Sequence, residues 1–297
     1  MPTMQATAHP DSLRRRMKFE KWQALGNDYL IVEESNLPWS LSEARIQMIC
    51  DPHFGVGSDG ILLIAPSEDE RYVAVLRIFN PDGSEAELSG NGAREAILYL
   101  RRHGWTHEDS FTMLTNSGPV TPHITSERTC SVEMGRASTV SEDFPSGGDD
   151  GLGSVAADGR QWDFRHVNVG NPQCAIEADA ALEGLDLSRI GPEIENSGLF
   201  PNRTNVSFFR VSGSRIRTRI FERGVGETLS SGTGASGAAV AAFLGGAPSP
   251  ITVELDGGEL LVHVSDDLDV TLTGWAEPIM SGELAPEFVK TLDGLSV

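Results

Sequence analysis

Residues 77–96 read RIFNPDGSEAELSGNGAREA, and residues 219–238 read RIFERGVGETLSSGTGASGA. Nine of the twenty positions are identical without a gap, at a constant offset of 142 residues. Each copy reads as a strand, a loop and the start of a helix. The repeat therefore predicts two similar halves that bring matching groups to one shared site. Such a site suits a reaction that is itself nearly mirror-symmetric, such as the inversion of a stereocentre.

The predicted fold is mixed α+β, in two pseudo-symmetric halves, each a curved, mostly antiparallel sheet around a central helix. The helix predicted at residues 233–244 has small or apolar residues on every side, which is typical of a buried helix. The segment 144–151 has the composition of a linker. We expect an N-terminal half at 17–140, onto which 276–297 pack back, and a C-terminal half at 150–275. Residues 1–16 are polar and predict a disordered extension.

Composition narrows the class of function. The chain has 297 residues and a formal charge of −20, with 23 basic against 43 acidic side chains, which argues against a nucleic-acid or anionic-membrane partner. Three cysteines without a CxxC spacing indicate reduced thiols and a cytoplasmic location. No run approaches eighteen apolar residues, so no membrane span is predicted. The expected partner is a small molecule.

The start of each predicted helix carries the candidate site. Ser89, Gly90 and Asn91 match Ser231, Gly232 and Thr233, where a loop enters a helix. The first N–H groups of a helix lack internal partners and favour an anion, and glycine lets a ligand approach the backbone closely. Two such helix ends would form a carboxylate clamp. The alternative is that each serine is only an N-cap and each glycine only a turn residue.

A second set of polar residues is predicted to line the same site. Gly26-Asn27 resembles Gly170-Asn171 at an offset of 144 residues. Amide side chains both donate and accept hydrogen bonds, and an arginine can clamp a carboxylate in bidentate fashion. Any one of these residues alone reads as a turn or surface group, but together they indicate a site for a zwitterion. The set is Asn27, Asn80, Asn171, Asn205, Glu222 and Arg223.

Three other kinds of site are disfavoured. The GxGxxG match at 55–60 precedes an apolar strand-like segment, which reverses the strand-then-helix order of a dinucleotide site. The seven histidines are scattered, so no metal centre is predicted. The only lysines, Lys18, Lys21 and Lys290, lie near the termini, whereas a pyridoxal-phosphate enzyme needs a core lysine. We therefore expect a mechanism without a cofactor.

At these motifs the chain resembles the diaminopimelate epimerase family. The matching segments run in the family's order from Met17 to about Trp275: 25–28, 54–60, 79–85, 90–94, 170–172, 205–206 and 222–228. The resemblance implies two pseudo-symmetric halves with the active site in the cleft between them, and a homodimer. It also implies a cofactor-independent isomerase that converts L,L- to meso-diaminopimelate for lysine and peptidoglycan synthesis.

The chain departs from the family at the two reacting positions. The family places a catalytic cysteine before each glycine pair, where this chain has Ser89 and Ser231. A helix N-terminus can lower the pKa of a cysteine from its usual value of about 8.5, whereas a serine needs a dedicated base. Glu85, Glu227 and Asp59 are the candidate bases. Gln173 also stands where the family usually has histidine.

Three explanations remain open. The chain is an epimerase-like paralogue that acts on another amino acid, as a racemase or a dehydratase. Alternatively, it is an engineered Cys-to-Ser variant of an epimerase, or an amino-acid-binding protein without the chemistry. The family resemblance favours diaminopimelate epimerase as the single label, so a diamino-dicarboxylate should still bind, and we expect weak or absent epimerase activity until cysteine is restored at positions 89 and 231. Absence of binding would indicate a different amino acid as the substrate.

Overall fold

The computed structural model describes residues 16–86, 89–178 and 180–295. Apart from Arg16, the predicted N-terminal extension lies outside these residues. The strands of the described chain are β1 (Lys18–Ala24), β2 (Asn27–Glu33), β3 (Ile61–Ala65), β4 (Val75–Phe79), β5 (Glu85–Ala86), β6 (Met113–Thr115), β7 (Gly118–Val120), β8 (Pro122–Ser126), β9 (Thr129–Arg136), β10 (Leu152–Ala157), β11 (Arg160–Asn168), β12 (Pro172–Glu177), β13 (Asn205–Ser212), β14 (Arg215–Glu222), β15 (Gly226–Thr228), β16 (Ile251–Leu255), β17 (Gly258–Val264), β18 (Asp269–Trp275) and β19 (Glu277–Glu283). The helices are α1 (Glu43–Cys50), α2 (Gly90–Arg102), α3 (Leu187–Glu195), α4 (Gly232–Leu244) and α5 (Pro286–Asp293), with 3₁₀ turns at Glu34–Asn36 and Leu182–Gly184.

The first compact unit comprises the described residues of Met1–Gln23, Asp28–Val120 and Glu277–Val297. Its sheet has the order β19-β1-β2-β3-β4-β6-β7, and β5 pairs with β4. Strands β2 and β3 are parallel, β3 and β4 antiparallel, and β4 and β6 parallel. The C-terminal strand β19 pairs with β1, and Leu284 and Leu292 join the core of this unit.

The second compact unit comprises Ala24–Asn27 and Thr121–Ala276. Its sheet has the order β10-β11-β12-β13-β14-β16-β17-β18-β9-β8, and β15 pairs with β14. Strands β12 and β13 are parallel, β13 and β14 antiparallel, and β14 and β16 parallel. These directions repeat those of the first unit strand for strand. The predicted fold class, α+β in two pseudo-symmetric halves, is confirmed.

The two units divide at residues 120 and 121, before the linker-like segment 144–151. Strand β9 pairs along its length with β18, more than a hundred residues later in the chain, so β8 and β9 belong to the second sheet. Phe144, within the linker-like segment, is buried in the core of the second unit. Composition reports local turn chemistry, whereas this boundary depends on a long-range strand pairing.

Both repeated helices are buried. In α4, ten of the thirteen residues are buried, and the helix packs against β11 to β14 and β16 to β18. Helix α2 also has ten buried residues, and two of them, Arg94 and Glu95, are charged types. Since charged side chains usually lie on an exposed helix face, the sequence alone does not predict that these two side chains are inside.

Candidate active site

The first serine motif begins α2. Ser89 is the N-cap residue, and its Oγ accepts a hydrogen bond from the Gly92 N–H at 3.1 Å. Asn91 is buried, and its Oδ1 accepts from the Arg94 guanidinium at 2.7 Å. The same guanidinium donates to the Gly90 carbonyl at 3.0 Å. Arg94 therefore braces the first turn of α2 from inside the unit.

Tyr29 is the second partner of Ser89. Its phenolic hydroxyl donates to Ser89 Oγ at 3.2 Å, and the side chain is buried. Tyr29 lies in β2 and is not among the site residues predicted from the sequence. One signal could have found it, because Tyr29 follows Asn27 by two residues, as Gln173 follows Asn171 in the second half.

The second serine motif begins α4 with the same cap. Ser231 Oγ accepts from the Gly234 N–H at 3.2 Å. Nearby, the carboxylate of Glu222 accepts from Thr228 Oγ1 at 2.8 Å. Burial raises the pKa of Glu222 above its ordinary value, and the hydroxyls of Ser231 and Thr228 oppose that rise. A carboxylate of raised pKa therefore lies near the hydroxyl that begins α4.

The glutamates of the repeat accept hydrogen bonds from arginines rather than from the serines. Glu85 accepts from Arg77 Nε and Nη2, each at 2.8 Å, and from Asn116 at 2.8 Å. The hydrogen bonds from Arg77 are the main reason that the pKa of Glu85 lies below its ordinary value. In the same way Glu227 accepts from Arg219 at 2.6 and 3.0 Å. The hypothesis that Glu85 and Glu227 serve as bases for the serines is therefore not supported by their contacts.

Asp59 also has partners other than a serine. Its carboxylate accepts from the Asp28 N–H at 2.9 Å, and its own N–H donates to Asp28 Oδ1 at 3.1 Å. These contacts fasten the loop before β3 to the start of β2. Glu222, which the sequence assigns to substrate binding, is instead the carboxylate that lies near Ser231.

Within the second unit, the predicted amide residues are linked by hydrogen bonds. Asn171 Nδ2 lies 3.3 Å from Thr233 Oγ1, and its Oδ1 accepts from Gln173 Nε2 at 2.6 Å. Asn205 donates to the Pro172 carbonyl at 3.0 Å and accepts from the Arg223 N–H at 2.9 Å. These contacts bring Asn171, Asn205 and Arg223 to one end of the second sheet, beside α4.

The remaining predicted residues have local partners. Asn80 donates to Ser84 Oγ at 3.0 Å and closes the turn between β4 and β5. Arg223 Nη1 donates to the Asn202 carbonyl at 2.9 Å. Asn27 opens β2 directly after Gly26, whose φ of +84° matches the φ of +94° at Gly170. That match supports the echo between Gly26-Asn27 and Gly170-Asn171, because both turns need a left-handed residue.

Among the described residues, no group of three or more His, Cys, Asp or Glu side chains is arranged to hold a metal ion. In the same part of the chain, no helix is both long and apolar enough to cross a membrane.

Comparison with known proteins places these motifs in a family. The family model described as diaminopimelate epimerase matches residues 19–140 and 165–278. Diaminopimelate epimerase 2 of Nostoc sp. PCC 7120 is 42% identical over 91% of this chain and 96% of its own length. Diaminopimelate epimerases of Synechococcus sp. JA-3-3Ab and Nitrosospira multiformis are each 36% identical, over 91% and 92% of this chain and 99% and 100% of their own lengths.

Solved structures share the fold at lower identity. A hydroxyproline epimerase from Agrobacterium vitis aligns with a TM-score of 0.65 and 14% identity, over 92% of this chain and 93% of its own. A predicted epimerase from Pseudomonas aeruginosa aligns with a TM-score of 0.63 and 18% identity, over 90% of this chain and 99% of its own. At this identity the likeness establishes the fold alone.

Proposed function

The chain belongs to the diaminopimelate epimerase family, and we propose that it inverts the configuration at one Cα of a diamino-dicarboxylate, interconverting L,L- and meso-diaminopimelate. The relatives that carry this name cover nearly the whole chain. The reaction needs no redox step and no leaving group. It requires one group that removes the Cα proton, one that delivers a proton to the other face, and a holder for the substrate carboxylate.

Each helix start offers a place for a substrate carboxylate in this proposal. The first N–H groups of a helix point out of its N-terminus, and they belong to Gly90 and Asn91 in α2 and to Gly232 and Thr233 in α4. The helix dipole adds partial positive charge at the same place. Asn171, Asn205 and Arg223 are proposed to bind the polar groups of the substrate.

The buried carboxylate of Glu222, bound to Thr228 and near Ser231, carries the proposal of proton removal. A serine hydroxyl does not ionise readily to an alkoxide, whereas a thiol can ionise to a thiolate. A second group must therefore accept the proton. Glu222 can do so, because its raised pKa brings its proton affinity closer to the operating pH. Ser231 then passes the Cα proton to Glu222. In this proposal Glu222 has the role for which the sequence offered Glu85 and Glu227.

Solvent isotope exchange tests the proposal. The purified protein is incubated in D₂O with L,L- and then with meso-diaminopimelate, and deuterium at Cα is followed by mass spectrometry. We expect Cα exchange and formation of the other diastereomer. Glu222→Gln should abolish both, because an amide cannot accept the proton. Glu227→Gln is the matched control. It also removes one carboxylate from the same unit, but this carboxylate forms a salt bridge with Arg219.

Two finer features belong to the same proposal. We propose a homodimer, as the family resemblance implies. The proposed dimer interface is the edge strand β19, where Ile279 and Met280 are 54% and 47% exposed. Light scattering should give twice the monomer mass, and Ile279→Glu should lower it. We also propose a cytoplasmic location, consistent with three buried cysteines and no disulfide among the described residues.

A further inference from the structure

A hairpin turn in the second unit is held by two side chains from outside the hairpin. The turn at residues 222–226 joins β14 to β15 and carries Arg223. The Arg223 N–H donates to Asn205 Oδ1 at 2.9 Å, and the next N–H, of Gly224, donates to Glu195 Oε1 at 2.8 Å. Other elements therefore set the directions of two successive peptide groups, because Asn205 begins β13 and Glu195 ends α3.

The carboxylate of Glu195 connects this turn to the loop that follows α3. Its side chain is 7% exposed, and the oxygen that meets Gly224 also accepts from Arg203 Nη1 at 3.0 Å. A buried carboxylate is costly unless it is paired and hydrogen-bonded, and Glu195 has both kinds of partner. Hydrogen bonds to a charged group are stronger than those between neutral groups. Glu195 therefore restrains the turn more strongly than a neutral acceptor would.

The same ion pair closes the segment that holds the Arg223 side chain. Glu195 and Arg203 lie at the two ends of residues 196–202 and join them by their contact. Within this segment, the carbonyl of Asn202 accepts from Arg223 Nη1 at 2.9 Å. Glu195 therefore restrains Arg223 in two ways, through the neighbouring peptide group and through the segment that accepts from the guanidinium.

The first unit holds the corresponding turn with a neutral contact. Helices α1 and α3 occupy the same place in their units, since each connects two parallel strands. At the offset of 142 residues, Gly224 corresponds to Asp82, whose carbonyl accepts from Gln47 Nε2 of α1 at 2.7 Å. An amide is thus sufficient to hold the turn in which Pro81 stands at the position of Arg223. The carboxylate occurs in the unit that carries the arginine.

From these contacts we propose that Glu195 is a positioning residue of the substrate site, which together with Arg203 fixes the Arg223 guanidinium for a substrate carboxylate. The inference rests on the proposed function, in which Arg223 binds a polar group of a diamino-dicarboxylate. A guanidinium binds a carboxylate best as a planar, bidentate pair, so a small rotation of the turn weakens the contact. Glu195 touches no reacting atom in this proposal and moves no proton. Its loss should therefore lower the affinity for the substrate and not the rate at which bound substrate reacts.

The position of Glu222 should be unaffected by the same change. Glu222 is the last residue of β14, and its carboxylate accepts from Thr228 Oγ1 at 2.8 Å on the paired strand β15. Its position thus depends on the strand pairing and not on α3. In Glu195→Ala, the Cα exchange rate at saturating diaminopimelate should stay within about threefold while KM rises, which is the pattern of lost uniform binding.

Calorimetric titration with meso-diaminopimelate tests the coupling between Glu195 and Arg223. Glu195→Ala should weaken binding at least about tenfold, equivalent to one hydrogen bond of the bidentate pair. In the Arg223→Ala background the same substitution should change the Kd less than about twofold, because the group that Glu195 positions is gone. Glu195→Gln keeps an acceptor for the Gly224 N–H and should recover most of the lost affinity. Glu193→Ala is the matched control, since this carboxylate of α3 also accepts a backbone N–H, that of Asp158 at 2.8 Å.

Each outcome decides the proposal. A loss of affinity that occurs only when Arg223 is present supports it, because a folding defect would weaken binding in both backgrounds. An equal loss in both backgrounds, or unchanged binding in Glu195→Ala, overturns the positioning role and leaves the proposed function standing. An equal loss in Glu193→Ala overturns it as well. Absence of both binding and Cα exchange in the unsubstituted protein overturns the proposed function, and this inference with it.

Discussion

Glu95 provides a prediction about stability that can be worked through from its surroundings. Glu95 belongs to α2, and its side chain is buried with no exposed surface. Neither carboxyl oxygen has a hydrogen-bond partner of normal geometry. Burial raises the pKa of Glu95 well above its ordinary value of 4.5, and the charge of Arg94 opposes that rise. The nearby carboxylates of Asp28 and Asp59 add to it. The folded protein therefore keeps Glu95 protonated at a pH where the unfolded chain has released that proton.

The sign of the pH dependence follows from proton linkage. Below the unfolded-state pKa of Glu95, both the folded and the unfolded state bind the proton, so Glu95 does not make the free energy of unfolding depend on pH. Above that pH the folded state binds one more proton than the unfolded state, so the free energy of unfolding falls as pH rises toward the folded-state pKa. The slope is about 1.4 kcal/mol per pH unit. A glutamine at position 95 has nearly the same shape and does not titrate, so Glu95→Gln should remove this loss.

Urea denaturation at pH 5, 6, 7 and 8 measures the effect. The variant should gain stability relative to the unsubstituted protein at each step, by up to about 1.4 kcal/mol per pH unit. Other titrating groups are common to both proteins and cancel in the difference. Glu287→Gln, on α5, controls for the removal of one carboxylate from the surface. A stability difference that stays constant across this pH range would refute the assignment of a raised pKa to Glu95.

Three further predictions concern the serine motifs. Restoring cysteine at both positions, Ser89→Cys with Ser231→Cys, should raise epimerisation of diaminopimelate at least a hundredfold, equivalent to about 3 kcal/mol of barrier; equal rates in a steady-state assay would contradict the need for a thiol. Thr228→Val removes a hydrogen bond that lowers the pKa of Glu222. The acidic limb of the kcat/KM pH profile should then move to higher pH, and an unmoved limb would exclude Glu222 as the base. Glu85→Gln should leave Cα exchange within about threefold, because Glu85 binds Arg77 and not a serine; loss of exchange would return it to the mechanism.

The sequence predicts the repeated elements well, because their signals are local. The helix expected at 233–244 begins one residue earlier, at Gly232, and ends where expected, and the helix start expected in the first copy lies at Gly90. Helix α3 has a weaker pattern and is stabilised by contacts with strands from distant parts of the second unit. The unit boundary at residues 120 and 121 follows from the long-range pairing of β9 with β18, which local composition does not report.

The site shows a different limit of sequence-based prediction. The serine motifs and their helix caps were predictable, because a cap is specified by the residues that form it. The partners of the serines were not, since Tyr29 lies 60 residues from Ser89 and reaches it only through the folded sheet. Proximity in the repeat suggested Glu85 and Glu227, but each has an arginine eight residues before it on the paired strand. A charged residue close in sequence to a reactive group is thus weak evidence for a catalytic base when an oppositely charged residue lies on the same hairpin.

The repeat is most informative where its two copies differ. Identical positions, such as Arg77 and Arg219 with their glutamates, form the same salt bridge in each unit and maintain the hairpin. The pairs that differ, Asn80 with Glu222 and Tyr29 with Gln173, include the two partners of the serines. Divergence at these pairs places a phenol beside Ser89 and a carboxylate of raised pKa near Ser231, so the two helix starts differ chemically although their backbones repeat.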